Sequence, residues 1–342
     1  MKCSDLMKKA GAGFMVLCLC SLLSSMTVKA AGNPVVVIDP GHGGTNMGAQ
    51  YNGCNEKDLT LQIANAMYQE LSQYEGITVY MTRTADTELS LKERADYAKM
   101  AGADFLYSIH LNASNDHRLF GAEVWVPSVG NFYTRGYQFG TAVLEEFRGL
   151  GIFTKGIKTK LGTTGDEYYG ILKNSRANGV NAVIIEHCYM DQGHDATYAY
   201  GAGALTALGK ADATAVAKYY GLKSTALGKD YSGYQKVSVA VPNGVKAQDD
   251  TPPEYCNISF VSKDAGTGKA QIAVTTKDSQ SPIIYYDYSA NGGQNFSSLG
   301  SWLADTQGQI TIPVNAYGSS QVVVRTYNSY YGFTQSNMIT VP

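Results

Sequence analysis

Four polar side chains in this sequence have the types and positions that hydrolytic metal chemistry requires. His42, His110 and Glu186 each follow the end of a short apolar run, and Glu56 stands at the start of a helical pattern. Two imidazoles and one carboxylate are a common ligand set of a catalytic zinc ion, which keeps a further position open for water. The remaining carboxylate is then available as a general base. The residue types therefore predict a zinc hydrolase.

The elements that must position these side chains alternate between strand-like and helix-like patterns. Strands are predicted at residues 35–38, 77–81, 105–109, 122–126 and 182–185, and helices at 58–71, 91–100, 133–147 and 205–220. Ser90 and Glu93 form the pattern of a capping box before one helix. This alternation predicts an α/β fold with a mostly parallel sheet flanked by helices. Sites in such sheets form at the carboxyl ends of the strands, where the two imidazoles and the last carboxylate fall.

Each of the four residues also has an ordinary structural explanation. His42 lies in a glycine-rich turn and can be incidental to it. Glu56 is favoured at a helix start by the helix dipole, and His110 can be a hydrogen-bonded core histidine. Glu186 is different, because a carboxylate that ends a buried strand is costly unless it is paired, bound to metal or raised in pKa.

The order and context of these motifs resemble one known family. It is the zinc-dependent N-acetylmuramoyl-L-alanine amidases of the amidase-3 type, and the similarity extends over residues 34–222. The family-like segments are residues 37–44 (VIDPGHGG), 55–58 (NEKD), 108–113 (SIHLNA) and 183–186 (VIIE). The first of these motifs is the most diagnostic.

The resemblance implies a role for each matching residue. His42, Glu56 and His110 would be the ligands of Zn²⁺, and Glu186 would be the catalytic carboxylate. The implied reaction is hydrolysis of the amide bond between N-acetylmuramic acid and L-alanine in bacterial peptidoglycan. Two alternatives stay open: a non-catalytic wall-binding protein on a degenerate amidase fold, and a zinc peptidase that cuts within the stem peptide.

Residues near these motifs are candidates for substrate binding. Asn112 follows the second histidine motif, and Arg83 can bind a substrate carboxylate in a bidentate manner or form an ion pair instead. His187 and Cys188 depart from the usual family sequence beside the last glutamate. The histidine can be a second proton carrier, a substrate contact or a buried hydrogen-bonded side chain. The cysteine can pair with Cys54, or both can be free buried thiols.

Composition and the N-terminus limit the partners and the location. The 342 residues carry a formal net charge of −2 and no run of Lys or Arg, which argues against nucleic acid and anionic membranes as partners. Residues 1–30 have the pattern of a secretory signal peptide with cleavage before Ala31. Its apolar run of about 10 residues is short of the roughly 20 that span a bilayer, which disfavours a retained anchor. Lipid modification of Cys18 or Cys20 is a third interpretation. We therefore expect a secreted, wall-located protein with no membrane contact after cleavage.

The sequence changes character after the predicted catalytic domain, residues 31–222. Residues 223–254 lack long apolar runs and are predicted to be a linker. Residues 255–342 contain short alternating strands separated by Gly, Asn and Ser turns, which predicts an all-β sandwich of immunoglobulin or fibronectin type III architecture. Such a domain can be a spacer, a wall-binding module or a docking module for a protein partner.

Overall fold

The computed structural model of the protein describes residues 32–303, 309–316 and 318–342. The predicted signal peptide lies outside the described residues. Among the helices of the described ranges, none combines the length and apolar character needed to cross a membrane.

The chain divides into two compact units, Met1–Ala247 and Gln248–Pro342. The division falls inside the segment predicted to be a linker. Residues 223–247 group with the first unit, where Lys223–Ser224 and Lys229–Asp230 pair as a short antiparallel hairpin.

The first unit contains ten strands and six helices among its described residues. The strands are β1 (Val35–Pro40), β2 (Gln50–Tyr51), β3 (Cys54–Asn55), β4 (Thr78–Met81), β5 (Phe105–Asn112), β6 (Ala122–Trp125), β7 (Thr154–Lys158), β8 (Asn181–Tyr189), β9 (Lys223–Ser224) and β10 (Lys229–Asp230). The helices are α1 (Glu56–Leu71), α2 (Leu91–Met100), α3 (Gly130–Gly149), α4 (Gly170–Ala177), α5 (Ala196–Tyr200) and α6 (Ala204–Tyr220). The predicted α/β fold is confirmed.

A six-stranded sheet in the order β4-β1-β5-β8-β6-β7 forms the centre of this unit. β4, β1, β5 and β8 pair in parallel, so the carboxyl ends of β1, β5 and β8 lie at one edge. β6 pairs antiparallel with β8 and parallel with β7, which makes the sheet mostly rather than entirely parallel.

Helices cover the sheet and explain why its central strands are apolar. α1, α3 and α6 pack with the strands in one apolar core that includes Ile63, Val143 and Val216. α2 begins with the predicted capping box, in which Glu93 N donates to Ser90 Oγ at 3.2 Å and Ser90 N donates to Glu93 Oε2 at 2.8 Å. Strands buried on both faces need apolar side chains on both faces, which is the pattern of β1 and β8.

The second unit is all-β. Its strands are β11 (Tyr255–Lys263), β12 (Lys269–Lys277), β13 (Ile283–Ser289), β14 (Gly300–Ser301), β15 (Gln309–Asn315), β16 (Ser320–Asn328), β17 (Phe333–Gln335) and β18 (Ile339–Val341). They form one antiparallel sheet in the order β11-β12-β15 and a second in the order β14-β13-β16-β17, with β18 beside β16. Ile272 and Val274 of one sheet and Val322 and Val324 of the other share one apolar core with Trp302. The predicted all-β sandwich is confirmed.

Candidate metal and catalytic site

Three of the predicted site residues meet at the carboxyl edge of the large sheet. Glu56 lies between two imidazoles: its Oε2 is 2.9 Å from His42 Nε2, and its Oε1 is 3.0 Å from His110 Nδ1. The possible ligand atoms of the three side chains all lie within 4.8 Å of one another. The two imidazole rings are nearly perpendicular, with centroids 4.9 Å apart. This group can hold a metal ion.

The turn after β1 sets the position of His42. The residue has a φ of +61°, a left-handed conformation that non-glycine residues seldom adopt outside functional or tightly constrained sites. Asn46 Oδ1 lies 2.9 Å from His42 Nδ1 and fixes the ring. Gly48 is needed for the close approach of this loop, because a Cβ atom there would lie 2.5 Å from Glu56 Oε2 and 2.7 Å from His42 Cδ2.

Arg83 supports this loop from the protein interior. The residue is 4% exposed, and its guanidinium donates to the carbonyl oxygens of Pro40 at 3.0 Å, Gly41 at 2.8 Å and Lys57 at 2.9 Å. These contacts direct its donors at backbone rather than at solvent. They therefore favour an interior role for Arg83 over the predicted contact with a substrate carboxylate.

A second buried arginine, Arg94, holds the same loop against the sheet. It donates to the carboxylate of Asp39 at 2.8 Å and to the carbonyl oxygen of His42 at 2.7 Å. Asp39 also accepts a 2.8 Å hydrogen bond from Ser108 Oγ on β5. β1, which precedes His42, and β5, which carries His110, are thus joined by a charged, fully hydrogen-bonded link.

Glu186 lies on β8 directly beside His110 in the register of β5 and β8. Its Oε2 atom is buried and has no hydrogen-bond partner within the part of the chain that the structure describes. Burial, followed by the negative charges of Glu56 and Glu123, raises the pKa of Glu186 well above its ordinary value. The positive charge of Lys155 opposes this shift. A buried carboxyl group without a partner is a candidate proton carrier.

A buried charge network, which sequence reasoning missed, adjoins Glu186. Glu123 on β6 lies opposite Glu186, and its Oε2 is 2.9 Å from Lys155 Nζ and 2.6 Å from Lys158 Nζ. The positive charges outweigh the effect of burial and lower the pKa of Glu123 to about 2. Burial lowers the pKa of Lys155 to about 8, although Glu123 opposes the shift. The available sequence signal was Glu123 itself, a charged residue inside an apolar strand.

Asn112 connects this network to the end of β5. Its side-chain amide donates to Glu123 Oε1 at 2.8 Å, and its backbone oxygen accepts from Met190 N at 2.8 Å. The residue remains half-buried. Asn112 is therefore placed at the edge of the site with its amide nitrogen directed at the buried glutamate.

His187 is a buried hydrogen-bonded side chain, which is the third of the alternatives predicted for it. Its Nδ1 is 2.9 Å from the carbonyl oxygen of His110, and its Nε2 is 2.9 Å from Asp212 Oδ2. Burial acts to lower the pKa of His187, but the charge and hydrogen bond of Asp212 raise it overall. The neighbouring Cys188 is a free, buried thiol, so it does not pair with Cys54.

The fold and the site together define an α/β protein with a candidate metal site at the carboxyl edge of its sheet, and comparison with known proteins identifies the family. The family model described as N-acetylmuramoyl-L-alanine amidase matches residues 36–218. The sporulation-specific N-acetylmuramoyl-L-alanine amidase of Bacillus subtilis is 33% identical over 218 residues, which is 63% of this chain and 78% of that protein. The chain therefore belongs to the N-acetylmuramoyl-L-alanine amidase family, and by family it is a peptidoglycan amidase.

Two further similarities cover smaller parts of the proteins compared. N-acetylmuramoyl-L-alanine amidase AmiA of Escherichia coli is 40% identical over 101 residues, which is 29% of this chain and 35% of that protein. Among solved structures, Cwp6 from Clostridium difficile aligns with a TM-score of 0.50 and 29% sequence identity, over 55% of this chain and 29% of that chain. These two matches therefore extend over about a third of the other proteins.

Proposed function

We propose that this chain is a secreted, zinc-dependent enzyme that hydrolyses the amide bond between the lactyl group of N-acetylmuramic acid and L-alanine in peptidoglycan. The observation that carries this proposal is the meeting of His42, Glu56 and His110 beside Glu186, whose buried Oε2 has no partner in the described ranges. Family membership supplies the substrate class.

The donor set fits a zinc ion. Two imidazole nitrogens and one carboxylate oxygen are the kind of three-residue set that leaves a position open in catalytic sites. Glu56 already reaches both histidines, and Gly48 lets the loop after β1 approach Glu56 and His42 closely. Zn²⁺ held there would supply Lewis-acid chemistry, which polarises a carbonyl group and acidifies water.

Glu186 is proposed as the general base and then the general acid. Its unpartnered Oε2 takes a proton from the attacking water and later delivers that proton to the leaving amine nitrogen of L-alanine. A raised pKa suits both steps, because the carboxyl group can hold the proton between them. The positive charge of Lys155 favours the ionised form of Glu186, whereas the negative charge of Glu123 favours the protonated form.

The other predicted site residues have supporting roles in this proposal. Asn112 contacts substrate at the site edge through its half-buried side chain, while its amide nitrogen remains hydrogen-bonded to Glu123. Arg83 keeps the loop of His42 in place rather than contacting substrate. Residues 31–222 form the catalytic domain, and residues 1–30 direct secretion to the cell wall.

Digestion of purified peptidoglycan tests the proposal. Mass spectrometry of the products should show stem peptides with a free L-alanine amino terminus and glycan strands with free lactyl carboxylates. Glu186→Gln should give neither product, and His117→Ala, which changes an exposed histidine, should leave both products in place. Cleavage only within the stem peptide would contradict the amidase function and indicate a peptidase. No cleavage by the unmodified chain would favour a wall-binding protein.

A further inference from the structure

The second unit carries a cavity that the hydrolytic site does not use. Its volume is about 440 Å³, within the range of roughly 300–1,000 Å³ typical of small-ligand sites. Two aromatic residues, Tyr288 and Phe296, and three amides, Asn291, Asn295 and Asn315, line it. All the side chains that line the cavity are uncharged. Its lining therefore selects a neutral, hydrogen-bonding ligand rather than an ionic one.

Phe296 is a rigid platform in this cavity. The guanidinium carbon of Arg325 lies 3.3 Å from the centroid of the Phe296 ring. Arg325 is itself fixed by two hydrogen bonds to Asp287, at 2.9 Å and 2.6 Å. A ring held in this way presents its surface for stacking without losing conformational entropy when a ligand binds.

The amide groups supply directional hydrogen bonds beside that platform. The side chains of Asn295 and Asn315 are exposed, and within residues 32–303, 309–316 and 318–342 neither amide group bonds to another protein atom. Tyr288 Oη accepts a 3.3 Å hydrogen bond from Asn315 N. Amide donors and acceptors next to an aromatic face match the alternating polar edge and apolar face of a pyranose ring.

The loop that carries Phe296 is organised before any ligand binds. Asn291 Oδ1 accepts hydrogen bonds from Ser289 Oγ at 2.7 Å and from Asn295 N at 3.0 Å. Gly293 N donates to Ser289 Oγ at 2.9 Å. Preorganisation of this kind reduces the free-energy cost of binding.

We propose that this cavity binds a neutral saccharide, stacked on Phe296 and hydrogen-bonded to Asn295 and Asn315. The uncharged lining favours the sugar units over the charged stem peptide of a wall polymer. That the natural ligand is the glycan of peptidoglycan rests on the proposed function. The second unit then holds the enzyme on the polymer that the first unit cleaves.

Isothermal titration calorimetry of the full chain with the β-1,4-linked tetramer of N-acetylglucosamine tests this proposal. The unmodified chain should bind the tetramer, and Phe296→Ala should weaken the affinity by about tenfold or more. Asn315→Ala, an exposed change that the fold tolerates, should weaken it several-fold. The matched control is Phe260→Ala on β11, an aromatic residue that is 41% exposed and does not line the cavity, and it should bind normally.

Two results would overturn the saccharide site. One is no binding of the tetramer by the unmodified chain, and the other is equal affinity in the unmodified chain, Phe296→Ala and Asn315→Ala. Because this tetramer contains no amide bond to a peptide, the titration does not depend on hydrolysis. A failure of the proposed amidase function would appear separately, as intact peptidoglycan in the digestion experiment.

Discussion

Asp287 in the second unit and Glu186 in the first are buried carboxyl groups with opposite surroundings. In the second unit, both oxygens of Asp287 are bound, by Arg325 at 2.9 Å and 2.6 Å and by Tyr327 Oη at 2.9 Å. In the first unit, Glu186 has a buried Oε2 with no partner in the part of the chain that is described. Both side chains belong to β-strands, and burial penalises the ionised form of both.

Under the proposed function, this difference separates a structural charge, Asp287, from a catalytic group, Glu186. A fully bonded ion pair satisfies its atoms and is a feature of the fold, whereas an unpartnered buried carboxyl group is tolerated where chemistry requires it. The same contrast separates the network of Glu123 from Glu186, although the two glutamates are cross-strand neighbours. Substitutions at these positions should therefore have effects that differ in kind.

The largest expected effect is that of removing a candidate metal ligand. His110→Ala leaves one imidazole and one carboxylate, which is too few protein ligands for a catalytic zinc site. Hydrolysis of a soluble muropeptide should fall to the background rate. His117→Ala is the matched control, because this histidine has a side chain that is 59% exposed and lies outside the cluster. Substantial activity in His110→Ala would contradict the ligand assignment.

Glu186→Gln should have the second-largest effect on hydrolysis. It keeps the shape of the side chain and removes the proton carrier, so kcat should fall by about a hundredfold to ten-thousandfold. The midpoint of thermal unfolding should not fall, because the substitution removes a buried carboxyl group whose Oε2 has no bonded partner. Steady-state kinetics and a melting curve check the two parts of this prediction. A stable variant with normal kcat would rule out Glu186 as the base.

Lys155→Met and Lys158→Met form a pair that isolates one electrostatic effect. Both lysines are buried and form ion pairs with Glu123. Of the two lysine charges, only that of Lys155 shifts the pKa of Glu186. Lys155→Met should raise the pKa of the base, move the acidic limb of kcat/KM to higher pH and lower activity at neutral pH by about tenfold.

Lys158→Met is the control for that shift. It should leave the acidic limb of the pH profile where it is in the unmodified chain, since the charge of this lysine does not contribute to the Glu186 pKa. The same displacement in both variants would mean that general disruption of the Glu123 network, rather than the charge of Lys155, is responsible.

Asp287→Asn should have the smallest effect on hydrolysis and act on stability instead. Loss of the charged hydrogen bonds to Arg325 should destabilise the second unit by about 2 kcal/mol. The chain has two tryptophans, Trp125 in the first unit and Trp302 in the second, and both are buried. In a Trp125→Phe variant, the tryptophan fluorescence therefore reports the unfolding of the second unit alone. Turnover of a soluble muropeptide should stay normal. If turnover fell together with the stability of the second unit, hydrolysis would depend on that unit, and Asp287 would not be a purely structural charge.

Much of the fold could be predicted because its main strands and helices have strong periodicity. The apolar runs of β1, β5 and β8 and the capping box at Ser90 gave clear signals. β7 (Thr154–Lys158) was missed, since its sequence TKGIK contains two lysines that ordinarily mark an exposed segment. Those lysines are buried only because Glu123, distant in sequence, compensates their charge.

The candidate site shows the same limit. Residue types at strand ends and at a helix start predicted His42, Glu56, His110 and Glu186 as site residues. His110 and Glu186 gave the clearest signals, because each follows an apolar strand. The role of Arg83 could not be read from its neighbours, since its partners are backbone carbonyls brought close by the tertiary fold. Local patterns predict where a polar residue is costly, and tertiary contacts determine whether that cost is compensated.

The zinc content of the purified chain tests the central claim most directly. Elemental analysis after extensive dialysis should find one zinc per chain in the unmodified protein and in Glu186→Gln, and almost none in His110→Ala. That result would separate the ligands His42, Glu56 and His110 from the base. No bound zinc in the unmodified protein, or the same zinc content in His110→Ala, would contradict the assignment of this cluster as the metal site.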